Sequence, residues 1–230
     1  MIQGILSRIE QLLRVRGAPI VVALDGPSGA GKSTMANALA GAAPVVVTIV
    51  PSDDFFAAGL TAADWDARSA AERARDAIDW RRLRRTALEP LRAGRPAVWH
   101  PFDFAGGEQA DGSYLMSTTP VRREAAPVIV VEGAYASRPE LADILDLSVL
   151  IDAPTAVRHE RLAARESPAF LAAWHRRWDA AEAYYFSEVR PAPSFDIAVD
   201  TETGTAQYRA GTTSSDDPPA FGSDNRLAGH

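Results

Sequence analysis

The chain has 230 residues, 47% hydrophobic and 23% charged, with a formal net charge of −6. That is the make-up of a soluble globular protein, long enough for one packed domain with a lid or tail. The acidic balance argues against a nucleic-acid platform, where basic residues dominate a face, and the lack of cysteine excludes a disulfide framework, a thiolate zinc site and a cysteine nucleophile.

The opening stretch, "MIQGILSRIEQLLRVRG", sets Ile2, Ile5, Leu6, Ile9, Leu12 and Leu13 on one helical stripe with Arg and Glu between them. This predicts a helix packed on the domain rather than lying on a membrane. No apolar stretch is as long as a signal peptide needs, or as the roughly 20 residues of a membrane span. A cytoplasmic protein with no membrane partner is the default expectation. "PIVVALD", residues 19 to 25, reads as a buried strand. "STMANALAGA" has the small residues of a helix packed closely on a sheet. "PVVVTIV", residues 44 to 50, is a second buried strand. Residues 61 to 93 read as helical, with a break near Ile78 and an end at Gly94. "RPAVWH", "APVIVVEG" (126 to 133) and "LDLSVLIDAP" (145 to 154) read as further strands. A long helical region runs from Thr155 to Val189, interrupted at Ser167-Pro168, and "FDIAVD" is a last short strand. Strands alternating with helices indicate an α/β fold, a mostly parallel sheet with helices on both faces and ligands at the strands' carboxyl ends. The tail from Thr201, including "GTTSSDDPPAFGSDN", is too polar to bury much and is expected to be mobile.

Between the first strand and the following helix, residues 26 to 33 fit G-x-x-x-x-G-K-[ST] without a mismatch. Lys32 is the chain's one lysine. Glycines let such a loop wrap a phosphate with its N–H groups turned inward, and the next helix adds its positive end. A lysine ammonium on a flexible stem can follow the β- and γ-phosphates, a task the larger, planar arginine fork fits poorly. Gly26, Ser28, Gly29, Ala30, Gly31, Lys32, Ser33 and Thr34 are therefore the candidate ATP-binding residues, with Ser33 a ligand for Mg²⁺. The plain alternative is a glycine-rich turn that caps a helix. An Asn-Lys-x-Asp guanine reader is impossible without a second lysine. A small phosphotransferase fits the length best.

A hydroxyl acceptor must lose a proton as it attacks, so a nearby carboxylate helps. "VPSDDFF", residues 50 to 56, supplies Asp53 and Asp54 at the end of the second strand. Extended chain would send their side chains to opposite sides, so one of them faces the phosphate; a solvated acidic loop is the other reading.

These residues carry a resemblance. The loop with Lys32, followed by "DDFF", resembles the uridine kinase, phosphoribulokinase and pantothenate kinase group of P-loop kinases. The resemblance implies ATP and Mg²⁺ as cofactors and Asp53 as the base. It maps "RDAID" onto a substrate-binding segment through Asp76, and "HPFDF" onto an acceptor pocket through Phe102, Asp103 and Phe104. It places Glu132 of "VIVVEG" near the metal. It also implies arginines in a lid after the fourth strand. Arg158, Arg161 and Arg165 of "RHERLAARE" share a helix face, and Arg161 and Arg165 are the candidates to close over the phosphates; a solvated face paired with Glu160 and Glu166 is the alternative. Uridine kinases follow the pocket segment with a histidine, and none stands here, which puts uridine itself in doubt.

Trp174, Trp178, Ala181 and Tyr185 fall at helical spacing and read as a packing stripe. "RRLRR", residues 81 to 85, reads as a solvated face. The four histidines show no metal-ligand spacing along the chain. The expectation is a kinase domain over residues 1 to 200 with a lid at about 155 to 190 and a flexible tail over 201 to 230. Its partner is a small-molecule hydroxyl substrate, with a homo-oligomer left open. A nucleoside monophosphate kinase and a regulatory ATPase without a small acceptor are the alternatives.

Overall fold

β1 (Ile20–Asp25) lies inside the sheet and is buried along its whole length. This explains its unbroken apolar run from Ile20 to Leu24, since neither face meets water. The structure, a computed structural model, describes residues 1–209, apart from the side chains of Ala169, Phe170 and Ala173. β1 is flanked by β5 (Val128–Glu132) and β6 (Leu147–Asp152), with β2 (Val47–Pro51) beyond β5 and β7 (Ile197–Asp200) beyond β6. These five strands pair in parallel.

Alternate side chains of the sheet feed two cores. On one face Val22, Leu24, Val128 and Val130 pack with Ile5, Ile9 and Leu12 of α1 (Ile2–Arg16) and Leu39 of α2 (Lys32–Ala42). The apolar stripe of the first helix is thus part of the core. On the other face Val21, Ala23, Ile129 and Val131 meet Phe55, Trp65, Leu83, Leu88, Trp178 and Tyr185.

The helical stretch after residue 61 is in pieces, each with its own start. Reciprocal capping boxes, Thr61 with Asp64 and Ser69 with Glu72, open α3 (Ala62–Ala67) and α4 (Ala70–Asp76). The break near Ile78 is real: Ile78 bridges to Phe56, and Asp79 caps α5 (Trp80–Leu83). A π turn leads into α6 (Glu89–Arg92), and the stretch ends at Gly94. α7 (Thr155–Ala163) and α8 (Pro168–Tyr184) are separated at Ser167 as the proline demands.

One strand stands apart and one expectation needs correction: "RPAVWH" forms its strand outside the main sheet, and the tail does not begin loose. The core of "RPAVWH", β3 (Ala97–Trp99), pairs with β4 (Val121–Arg123), a short exposed segment too polar to read as a strand. The start of the tail is structured too: β8 (Ala206–Tyr208) runs antiparallel along β7, with backbone pairing that its polar composition did not announce. Residues 210 to 230 lie outside the described residues. No described helix is long and apolar enough to cross a membrane.

Candidate active site

The carboxyl ends of β1, β2 and β5 converge on one cleft. β1 ends in Asp25, fully buried. Its Oδ1 accepts the Gly26 N–H at 2.8 Å, and its Oδ2 accepts from Ser137 N–H at 2.9 Å and the Tyr185 hydroxyl at 2.8 Å. This network ties the loop's first residue to the π turn that follows α8. At Gly29, φ is +79°, and a Cβ would stand 2.5 Å from the Arg158 carbonyl oxygen, so only glycine lets the loop pass under α7. α2 begins at Lys32, which places its N-terminal dipole end at the loop.

Lys32 Nζ donates to the Pro27 carbonyl at 3.0 Å. Ser33 Oγ lies 3.1 Å from both Glu132 oxygens. Thr34 follows, exposed on the first turn of α2. The loop's own anion site is partly filled from within: Glu182 of α8 accepts the Ser28 N–H at 3.0 Å and the Ser28 hydroxyl besides.

The Asp-Asp pair is separated as expected, for a different reason. Ser52–Phe55 forms a 3₁₀ turn, not extended chain. Asp53 lines the cleft with Lys32 and Ser28. Asp54 points away and accepts from Trp99 Nε1 at 2.8 Å. Arg82 fastens the turn, donating to the Asp54 carbonyl at 3.1 Å with its guanidinium 4.8 Å from the Phe55 ring centroid. That arginine of "RRLRR" is therefore structural rather than solvated. Gly133, with φ +144°, closes the turn from the other side. A Cβ there would lie 1.9 Å from Ser52 Oγ and 3.3 Å from Asp53 Oδ1.

Loss of hydration in the cleft pushes the Asp53 carboxyl above its ordinary value. Lys32 pulls it down, Asp54 pushes it up and Arg165 lowers it. Glu132 is raised in the same way, first by burial and then by Asp53, with Lys32 and Ser33 opposing. Two raised carboxyls beside one ammonium form an electrostatic arrangement that a hard cation would relieve.

Asp76 lines a larger cavity of about 790 Å³, together with Arg68, Arg75, Trp80 and Arg82. Phe56 and Ile78 border both this cavity and the Lys32–Asp53 cleft. Asp76 pairs with Arg75 at 2.8 Å and Arg68 at 3.2 Å. Those hydrogen bonds, Arg75 first, hold its carboxyl below the usual range.

The "HPFDF" residues sit differently from what the resemblance implies. Phe102 is buried in an aromatic cluster, with ring centroids 5.2 Å from Phe56 and 4.6 Å from Phe104. Asp103 caps its own loop, accepting the Gly106 N–H at 2.9 Å. Phe104 is half-exposed. They brace the Phe56 wall, and neither described cavity bordered by Phe56 is lined by them.

Among the arginines of α7, Arg158 donates to the Ser28 carbonyl at 3.2 Å. Arg161 reaches the Ala30 carbonyl at 3.3 Å and the Thr201 hydroxyl at 2.9 Å. Arg165 pairs with Glu166 at 2.8 Å. Sequence reasoning set Arg158 lowest of the three, yet it touches the phosphate loop.

Three further residues at the cleft or against the phosphate loop were missed. One is Glu182. Another is Thr201, assigned to the tail, whose hydroxyl donates to the Ala30 carbonyl at 2.9 Å. The third is Tyr135, three residues past Glu132. It is buried with φ +66°, rare for a residue with a side chain, and its hydroxyl has no hydrogen-bond partner among the described residues. It lines the cleft with Lys32, Asp53, Trp174 and Trp178. Burial pushes its phenol up, so it stays a protonated donor. The Trp174–Tyr185 stripe is a packing surface, as read, whose two tryptophans also wall the cleft.

A family model described as an AAA domain matches residues 21–186. Three solved structures are similar in fold. A provisionally assigned fructose transport system kinase from Silicibacter superposes with a TM-score of 0.61 at 23% identity, over 83% of this chain and 95% of that one. D-glycerate 3-kinase from Cryptococcus neoformans gives 0.60 at 14% identity, over 90% and 99%. A provisionally assigned uridine kinase from Bacillus stearothermophilus gives 0.55 at 19% identity, over 85% and 98%.

Proposed function

The chain belongs to the AAA-domain family of P-loop proteins and has the P-loop kinase fold, and on that footing we propose that it transfers the γ-phosphoryl group of ATP to a hydroxyl of a small metabolite. One observation carries the reading: Lys32 of the phosphate loop and Asp53 line the same cleft, and that cleft adjoins a polar cavity holding Asp76. A phosphate grip facing a carboxylate of raised pKa is what an alcohol acceptor requires, since a base works best with a pKa close to the working pH.

In this reading the triphosphate lies along residues 26 to 34. Lys32 leaves the Pro27 carbonyl for it, and Glu182 gives up the Ser28 N–H. Ser33 and Glu132 would hold Mg²⁺, whose hard-oxygen preference suits them; when bound, it supplies positive charge against the phosphate oxygens. Asp53 accepts the acceptor's hydroxyl proton. The oxygen–phosphorus bond forms as the bond to the bridging β-oxygen breaks, and ADP leaves with that electron pair. Asp76, kept ionised by Arg75 and Arg68, accepts hydrogen bonds from further substrate hydroxyls. Tyr135 donates into the cleft. α7 and α8 act as the lid, with Arg158 and Arg161 at the loop and Arg165 leaving Glu166 for the phosphates. The kinase unit runs past residue 200, taking in Thr201 and β8.

The test is transfer from γ-labelled ATP across nucleosides, sugars, sugar phosphates, hydroxy acids and nucleoside monophosphates. At least one alcohol should become a phosphate ester. Labelling of monophosphates alone would replace the alcohol reading by a nucleotide-acceptor one. Hydrolysis with no acceptor labelled would replace it by a regulatory ATPase.

A further inference from the structure

Along the chain the histidines have no metal-binding spacing, but the fold brings two of them together. His159 stands on α7, and His175 and Asp179 stand one turn apart on α8. Asp179 Oδ1 lies 2.9 Å from His175 Nδ1, and Oδ2 lies 3.6 Å from His159 Nε2. The two imidazole centroids are 4.3 Å apart. The three donor atoms fall within 4.8 Å of one another, and all three residues are half-buried.

Bonds of about 2.0–2.1 Å to a tetrahedral ion set neighbouring donors about 3.3 Å apart. The two measured separations from Asp179 bracket that edge. A simple ion pair would need only one of the two histidines. Among the described residues, Asp179 has no arginine partner, and Arg158 is turned toward Ser28 and Ala153. A cavity of about 360 Å³, lined by His159, Asp179, Arg158 and Glu182, opens beside the cluster and leaves room for a fourth donor.

We propose that His159, His175 and Asp179 form a transition-metal site that pins α7 to α8, with Zn²⁺ as the expected ion. Two imidazole nitrogens and one carboxylate oxygen select Zn²⁺ and its neighbours over Mg²⁺ or Ca²⁺. The site is distinct from the Ser33–Glu132 pair and does not depend on the kinase reading. Its structural consequence is local. α7 places Arg158 and Arg161 on the phosphate loop, and α8 places Glu182 there, so an ion between these helices fixes how the two elements reach over the loop.

The experiment is a Zn²⁺ titration of the untagged, chelator-stripped full chain by calorimetry, in excess Mg²⁺ so that hard-oxygen sites are filled. One equivalent should bind per chain and raise the melting temperature. His175→Ala and His159→Asn should each weaken binding at least about tenfold and abolish that rise, while His100→Ala and His230→Ala bind as the wild type does. Co²⁺ should give the intense visible bands of a four-coordinate site. Undiminished Zn²⁺ binding by the His175 and His159 variants would overturn the proposal. So would no binding by the wild type, or only the weak spectrum of hydrated Co²⁺. Melting of each variant without metal checks that it is folded, so lost binding reads on the site.

Discussion

The two walls of the cleft are made in different ways. The wall we propose for the nucleotide is one continuous peptide, Gly26 to Thr34, fixed by a strand before it and a helix after it. The wall we propose for the acceptor runs from the cleft into the adjoining cavity and is gathered from separate places: the Asp53 turn, Asp76 on α4, the Phe56 cluster and Tyr135. Its parts are joined by side-chain to backbone bonds, such as those of Arg82 to the Asp54 carbonyl and of Arg138 to the Arg75 carbonyl at 3.0 Å. A contiguous wall serves one ligand group, the phosphates, wherever it occurs. A gathered wall can change one piece at a time, which is how one fold comes to serve different acceptors.

Changes confined to one wall separate the two. Among the changes that leave Asp53 in place, the largest effect is expected on the nucleotide side. Lys32→Ala should cost on the order of 10²–10³ in single-turnover rate and should do so equally for every acceptor, with Lys32→Arg failing to restore it. On the acceptor side, Asp76→Asn should raise the acceptor KM about tenfold, the scale of one charged hydrogen bond, with the ATP KM unchanged. A shift in both constants would mean that the walls are not independent.

The smallest effect concerns Glu182, which belongs to neither motif yet occupies a loop amide. Burial raises its carboxyl, and Lys32, Ser28 and Arg158 oppose that. Above the raised pKa it is an anion competing with phosphate, and below it the competition ends. Wild-type ATP affinity should therefore rise as pH falls through that range. Glu182→Gln should bind ATP a few-fold more tightly and flatten the dependence, as read by calorimetry across pH.

How much of this was legible follows from the same contrast. The strands β1, β5 and β6 and the phosphate loop are local patterns, and each stands where its residues indicate. The Asp53 turn was legible as a carboxylate pair after the second strand but not as shape, because its 3₁₀ geometry is held by Arg82 and Trp99, distant in sequence. Phe102 and Asp103 look like pocket residues in a string of letters; in the fold Phe102 packs against Phe56 and Asp103 caps its own loop. Glu182 and Tyr135 could not be found by motif. What marks them is burial, an unusual φ and the groups they face, all of which arise only when α8 and the loop after β5 meet the phosphate loop. β8 escaped because backbone pairing at a sheet edge needs no apolar signature.

The most direct test of the central claim is the pH dependence of kcat/KM for phosphorylation of an alcohol, compared between the wild type and Asp53→Asn. The base must be ionised to act, and its carboxyl is held above the ordinary aspartate value of 3.8. Activity should therefore fall as pH drops through a value higher than that. Asp53→Asn should lose on the order of 10²–10⁴ in rate together with that acid limb, while still binding ATP. An asparagine variant that phosphorylates the alcohol at the wild-type rate, with the same acid limb, would contradict the account.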